Sequence, residues 1–227
     1  MTSAYDTPQA LASAAADRFF AEVRALAAAR RVVWIGLSGG TSWDAAFARI
    51  VARAGELSHE TWAALRFFLV DERLVPRGHP DSNADAAEAK LLKKLAGYVA
   101  PEQFVVPDVG APDVAERYAA AVPRADLVLL GAGPDGHVAS LFPGHAGLAR
   151  TQKFFTVDDS PKPPARRVTA SVPFLSAASS AVALFVGAAK ADAFAAFQAG
   201  ATITLCPAAV AKNAAQWAAL GWAGNPA

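Results

Sequence analysis

Asp126-Leu-Val-Leu-Leu-Gly-Ala-Gly-Pro-Asp-Gly-His-Val-Ala-Ser-Leu-Phe-Pro-Gly144 is the stretch on which the reading of this chain turns. Its apolar run, 127–130, has the length of one buried strand. Gly131, Gly133, Pro134 and Gly136 then break the run, so the backbone must turn sharply where the strand ends. At that break stand an acid and an imidazole two residues apart, Asp135 and His137. Ligands of open α/β sheets bind just beyond the carboxyl ends of the strands. A carboxylate and a histidine placed there have the make-up of a general acid/base pair, although the same two side chains could simply satisfy the N–H groups of the turn.

A second strand with a glycine-rich ending precedes this one. Residues 31–36 read as a strand, Ser38-Gly-Gly-Thr-Ser42 as a loop, and 43–54 as a helix. Such an arrangement suits an anion. Gly39 and Gly40 let backbone N–H groups approach a ligand, Ser38, Thr41 and Ser42 add hydroxyls, and the helix N-terminus adds positive dipole. A tight turn without a ligand would use the same glycines. The loop lacks the third glycine of a dinucleotide fingerprint and the Gly-Lys-Ser/Thr of a P-loop.

Further strands are expected at 66–71, 104–106, 154–157, 168–172 and 181–187, and helices at 8–29, 59–64, 84–95, 113–122, 188–199 and 207–220. Thr7 before Pro8, and Ser58, supply helix-starting residues, and Ser82 or Asn83 caps the helix at 84. Strands alternating with helices predict an α/β fold, a doubly wound and mainly parallel sheet with helices on both faces. A single domain over 1–227 is expected, with a small antiparallel lobe near 150–175. Asp71 and Arg73 end one strand. They pair with neighbours in a solvated loop, or Arg73 grips an anion while Asp71 lines its pocket. The prolines of 160–167 hold that run extended and deliver Lys162, Arg166 and Arg167 to the next strand. Lys190 falls in the first turn of its expected helix, where the dipole disfavours a cation. It is a surface lysine or serves an anionic ligand.

Composition narrows the function classes. Of 227 residues, 54 % are hydrophobic and 18 % charged, and the net charge of +1 is not clustered. That predicts a compact globular protein with no nucleic-acid or membrane partner. The one cysteine, Cys206, has no internal partner, and no metal-ligand spacing of Cys and His occurs. The N-terminal segment does not read as a signal peptide, and no apolar run reaches the ~18 residues of a membrane span. A cytoplasmic monomer is expected.

Four segments together resemble the glucosamine-phosphate isomerase/6-phosphogluconolactonase superfamily over roughly residues 8–200. They are Gly36-Leu-Ser-Gly-Gly-Thr-Ser42, Val70-Asp-Glu-Arg-Leu-Val-Pro76 with Ser82-Asn83, Leu130-Gly-Ala-Gly-Pro-Asp-Gly-His-Val-Ala-Ser-Leu-Phe-Pro-Gly144, and Pro161-Lys-Pro-Pro-Ala-Arg-Arg167. The deaminase/isomerase branch continues Asp-Gly-His with a Phe-Asn-Glu-Pro-type run. Here Ala139-Ser-Leu-Phe-Pro143 carries no Glu, and the Pro-Lys-Pro-Pro run is similar to the lactonase branch. Trp43 departs from the usual continuation of the phosphate loop, and the family's signals after Gly200 are only loosely echoed.

The resemblance implies a hydrolase that opens a phosphorylated sugar lactone, 6-phosphogluconolactone, to 6-phosphogluconate in the oxidative pentose phosphate pathway. It implies His137 as the general base oriented by Asp135. The phosphate is expected on Ser38, Gly39, Gly40 and Thr41 with Arg167, Lys190 and Arg73 as cations, and Asp71 is expected along the sugar. No metal or organic cofactor is expected, because a strained ester is already electrophilic. The rival expectations are a glucosamine-6-phosphate deaminase or sugar-phosphate isomerase on the same fold, and a non-catalytic sugar-phosphate-binding protein.

Overall fold

The structure is a computed structural model that describes residues 1–222; the last five residues of the domain expected over 1–227 lie outside it. Ten strands occur among the described residues: β1 Thr2–Tyr5, β2 Val33–Leu37, β3 Leu65–Leu69, β4 Asp71–Arg73, β5 Phe104–Val105, β6 Leu127–Gly131, β7 Phe154–Val157, β8 Arg167–Ala170, β9 Ser180–Phe185 and β10 Gln216–Trp222. The α-helices are α1 Pro8–Ala29, α2 Asp44–Ala52, α3 His59–Ala63, α4 Asn83–Ala87, α5 Val114–Ala121, α6 Val172–Ser176 and α7 Ala191–Gln198.

Seven strands form one sheet in the order β1-β10-β9-β6-β2-β3-β5, and every pair in it is parallel. Its central strands β9, β6, β2 and β3 are largely buried on both faces, as a sheet covered by helices on each side requires. Alternation divides them: Leu127 and Leu129 join one buried cluster with Phe19, Phe20 and Trp62, while Val128 and Leu130 join the other with Tyr118, Phe154 and Phe197. Phe67 and Phe68 are split in the same way. From β2 the chain runs outward through β3 and β5, then returns to lay β6 on the other side of β2. The strand order reverses between β2 and β6, and the loops leaving their carboxyl ends diverge there. That crevice is where an open α/β sheet binds its ligand.

A second sheet, antiparallel and three-stranded in the order β4-β8-β7, stands over the crevice. The hairpin expected near 150–175 recruits β4, which continues β3 after one residue. Val70 N–H donates to Leu37 O (3.0 Å) in the large sheet, and Val70 O accepts from Ala170 N–H (2.8 Å) in the small one. Val70 thus stitches the two sheets together.

Thr7 caps α1 with Pro8 at its first turn, Ser58 caps α3, and Ser82 rather than Asn83 caps α4. Other expectations are corrected. The helix expected at 207–220 is a run of 3₁₀ turns, Pro207–Asn213, followed by β10. Its alanines favour a helix locally. In the folded chain they fit between β1 and β9 with helices close against the strand: a Cβ on Gly221 would stand 2.3 Å from the Phe194 ring. The N-terminal residues, for which no strand was expected, pair with that strand as β1. The strand expected through residue 172 ends at Ala170, because Ser171 caps α6. The helix expected at 84–95 is one α-helical turn followed by a wider turn at Glu88–Leu92 and a 3₁₀ turn at Lys93–Leu95. A 3₁₀ turn at Ala188–Lys190 precedes α7, so Lys190 is that helix's N-cap rather than a first-turn residue. Among the described residues no helix is long and apolar enough to cross a membrane.

Candidate active site

The loop after β2 runs Ser38 to Ser42 into α2. Gly40 adopts φ +82°, a conformation that suits glycine. Gly39 packs so closely on Asn83 that a Cβ would stand 2.0 Å from its Oδ1. Trp43, the family departure, is buried beneath the loop, stacked on Phe47 at 5.8 Å. Ser38 Oγ accepts from Gly131 N–H at 3.2 Å and so ties this loop to the end of β6.

Beyond β6 the chain closes a tight turn. Gly133 N–H donates to His137 O (2.8 Å) and Gly136 N–H to Gly133 O (3.0 Å). Gly136 is at φ +78°, and a Cβ on Gly133 would lie 1.9 Å from His137 Nδ1. The two glycines let the imidazole fold back over its own turn. His137 Nδ1 meets Asp135 Oδ1 at 2.5 Å, with the His137 side chain 18 % and the Asp135 side chain 37 % exposed. The imidazole also packs on Phe142, ring centroids 4.9 Å apart. Lys162, from the proline strap, closes the group: its Nζ lies 3.2 Å from Asp135 Oδ1 and 3.1 Å from His137 Nδ1.

Burial pushes the His137 imidazole below its ordinary value, and the Lys162 charge adds to this against the pull of Asp135 and Asp71. Burial alone would raise Asp135, but His137 and Lys162 outweigh it and hold the carboxyl down at about 2. At neutral pH the imidazole is therefore uncharged and the carboxylate ionised.

The small sheet supplies the other wall. Asp71 and Arg167 are 4 % and 3 % exposed. Arg167 donates to the carbonyls of Lys162, Pro163 and Pro164 and to Ser140 Oγ, at 2.9 to 3.3 Å. Ser140 Oγ in turn donates to Asp71 Oδ2 at 2.7 Å, and Arg167 Nη1 lies 3.9 Å from that oxygen. Arg73 sits opposite Arg167 in the β4–β8 register and donates to Asp81 O, its Nε buried without a partner. Lys190 Nζ donates to Ala132 O, and burial lowers its pKa.

These pieces enclose one cleft of about 190 Å³. Ser38, Gly39, Gly40, Thr41, Asp71, Arg73, His137, Arg167 and Lys190 all line it, and Asp135 stands directly behind His137. Three cations face one carboxylate, a surplus of two positive charges around a glycine-hydroxyl loop. A neutral imidazole at the same wall can take a proton from a water beside an anchored ligand. A broader groove of about 890 Å³ at the opposite end, between the C-terminal end of α1 and α3, is lined by alanines and arginines with Glu60 and Thr61, and has no histidine. Among the described residues no group of three His, Cys, Asp or Glu side chains is arranged to hold a metal.

The sequence reading assigns no role to Ser140 and Phe142, although both stand in the quoted block, and it places Lys162 on the proline run without assigning it to the imidazole. The signal was weak because each acts across chain distance: Ser140 on Asp71 and Arg167, Lys162 on Asp135 and His137.

The family profile of glucosamine-6-phosphate isomerases/6-phosphogluconolactonase matches residues 6–220. The 6-phosphogluconolactonase of Homo sapiens is 39 % identical over 183 residues, spanning 73 % of this chain and 68 % of that protein. A probable 6-phosphogluconolactonase 4, chloroplastic, of Oryza sativa subsp. indica is 35 % identical over 208 residues, 83 % of this chain but 63 % of that protein's length. The solved structure of 6-phosphogluconolactonase from Trypanosoma brucei superposes with a TM-score of 0.80 at 26 % identity, covering 98 % of this chain and 95 % of that one. By the match over nearly its whole length and by its identity to these relatives, the chain belongs to the glucosamine-6-phosphate isomerases/6-phosphogluconolactonase family.

Proposed function

We propose that this protein hydrolyses 6-phosphogluconolactone to 6-phosphogluconate, with His137 as the general base. One observation carries the reading: an imidazole, backed by a carboxylate at Nδ1, shares a small cleft with a glycine-hydroxyl loop and three cations. A phosphate dianion matches the charge surplus. Arg167 offers a planar fork, Lys190 a point charge, and the loop of Gly39, Gly40 and Thr41 its N–H groups and hydroxyl. With the phosphate held, a water beside the lactone carbonyl gives its proton to Nε2 as its oxygen bonds to carbon. Asp135 stabilises the imidazolium that results. The proton then passes to the ring oxygen as the ester bond breaks.

The lactonase reading is preferred to a deaminase or isomerase on the character of the carboxylates. Asp71 is the one carboxylate lining the cleft, and Ser140, Asn83 and Arg167 already engage it. A ring-opening isomerisation needs a further acid, and Ala139-Ser-Leu-Phe-Pro143 supplies none. A cytoplasmic monomer that needs no cofactor is the simplest setting for this activity.

The test is hydrolysis of freshly generated lactone with spontaneous opening subtracted, alongside ammonia release from glucosamine 6-phosphate. His137→Ala should lower kcat by ~10²–10⁴ with little change in KM. An unchanged rate in that variant removes His137 as base. Binding of 6-phosphogluconate without turnover of the lactone would favour a sensor instead. The acidic limb of kcat/KM should fall below about pH 6.5, the ordinary imidazole value, because burial and Lys162 both disfavour the imidazolium.

A further inference from the structure

Lys162 meets the imidazole at Nδ1 and is not among the residues that line the cleft. We infer that Lys162 is a positioning residue that sets the strength of the base: its ammonium shares Asp135 Oδ1 with the imidazole N–H and opposes the imidazolium. This inference rests on the general-base reading of His137.

Three features carry it. Asp135 Oδ1 receives both donors, the imidazole at 2.5 Å and the ammonium at 3.2 Å. The ammonium therefore fixes the carboxylate while withdrawing part of the negative charge that would otherwise favour the imidazolium. Second, Nζ stands 3.1 Å from Nδ1, a distance at which a second positive charge on the ring is strongly opposed. The ionised Asp135 can only accept, so its bond to Nδ1 places the ring proton there and leaves Nε2 as the basic nitrogen. Third, the lysine's backbone is pinned. Its carbonyl accepts from Ser160 Oγ at 2.8 Å and from Arg167 Nη2 at 2.9 Å, and its N–H donates to Ser160 Oγ at 3.3 Å. Arg167 thus faces the cleft and also fixes the residue that tunes the base.

The other charged and titratable groups around His137 are few. Asp135 lies on its own turn, Asp71 acts on it from β4 and Lys162 from the strap. Arg167 lies over the far partner of its ring stack, 5.7 Å from the Phe142 centroid. Lys190 interacts with Lys162 and Asp135. Cys206 packs against Gly136 from beneath, its thiol kept neutral by burial. Among these the ammonium of Lys162 is the cation in contact with the ring.

The experiment compares pH profiles of kcat/KM for the parent, Lys162→Met and Lys162→Arg on fresh lactone, and follows the His137 ring resonances by NMR titration of the same proteins without substrate. In Lys162→Met the acidic limb and the NMR titration should both move up by about one pH unit. KM should stay within about threefold, and Lys162→Arg should restore the parent limb. A methionine variant with an unmoved limb and a tenfold higher KM would make Lys162 a phosphate ligand and overturn the inference. A uniform fall at every pH with the titration unmoved would reduce it to a structural strap and overturn it too. If the parent itself fails to open the lactone, the functional reading fails; a shifted NMR titration in that case still assigns the tuning role to Lys162.

Discussion

β2 and β6 lie side by side and both end in glycine turns, yet the two turns are built on different foundations. After β2, Gly39 gives way to Asn83, a buried amide that donates to Asp71 O at 2.9 Å and so joins the loop to the small sheet. After β6, Gly133 gives way to His137, a partly exposed imidazole held by Asp135 and Lys162. The same local pattern of strand followed by glycines carries the proposed binding wall in one place and the proposed reactive wall in the other. The difference comes from what packs behind. The binding wall rests on buried, multiply bonded groups whose removal harms folding. The reactive wall rests on three polar side chains at the rim, which can be changed at modest cost to stability. Binding and turnover should therefore separate by wall.

The sharpest way to break that separation is Gly133→Ala. Its Cβ would lie 1.9 Å from His137 Nδ1 and 2.7 Å from Asp135 Oδ1, so the base must move. A displacement of about 1 Å costs on the order of 10²-fold in kcat, and KM for the lactone and the melting temperature should change little. A large rise in KM instead would mean that the turn after β6 also holds the phosphate.

Arg167→Ala tests the other wall. It removes charged hydrogen bonds from the proposed phosphate site, for which about 10–100-fold in KM is expected, and it leaves Asp71 without its cation, so the melting temperature should fall as well. Arg167→Lys should recover only part of either effect, since one ammonium cannot reach Ser140 and three carbonyls together. An unchanged KM would remove Arg167 from the phosphate. Gly39→Ala is the milder probe of the same wall. Asn83 must shift from a site with no spare room, for about 1–3 kcal/mol of stability. Denaturant titration measures that loss, and kinetics should show KM rising with kcat nearly intact.

What the sequence disclosed, and what it withheld, follows from range. The apolar run at 127–130, the glycine breaks and the caps at Thr7 and Ser58 act over a few residues, and each is found as read. β10 was unreadable because Ala218 and Ala219 favour a helix locally, and pairing between β1 and β9 overrides that preference. Asp126, the first residue of the quoted stretch, gave no signal either. It is fully buried and takes Arg30, Arg124 and the Trp34 N–H at the far end of β6. The residues that line the cleft were legible from loop chemistry and from the family resemblance. Ser140, Asn83 and Lys162 act on those residues across the fold, and their roles required coordinates.

The smallest expected effect is the one that best sharpens the contrast. Ser82 caps α4, accepting from Asp85 N–H at 3.2 Å, and its neighbour Asn83 is the side chain beneath Gly39. Glu72 also caps that helix. Its two buried oxygens accept from the N–H groups of Arg73, Asn83 and Ala84, each at 2.7 Å. With those bonds intact, Ser82→Ala should cost about 1 kcal/mol, a fall of ~2–4 °C in Tm for a chain of this size. Because Glu72 continues to fix the start of α4, Asn83 should keep its place, and kcat and KM should both match the parent. A rise in KM in this variant would show that the cap, and not the buried amide alone, sets the position of the phosphate loop. The binding wall would then extend to the buried turn at Ser82 rather than ending at Asn83.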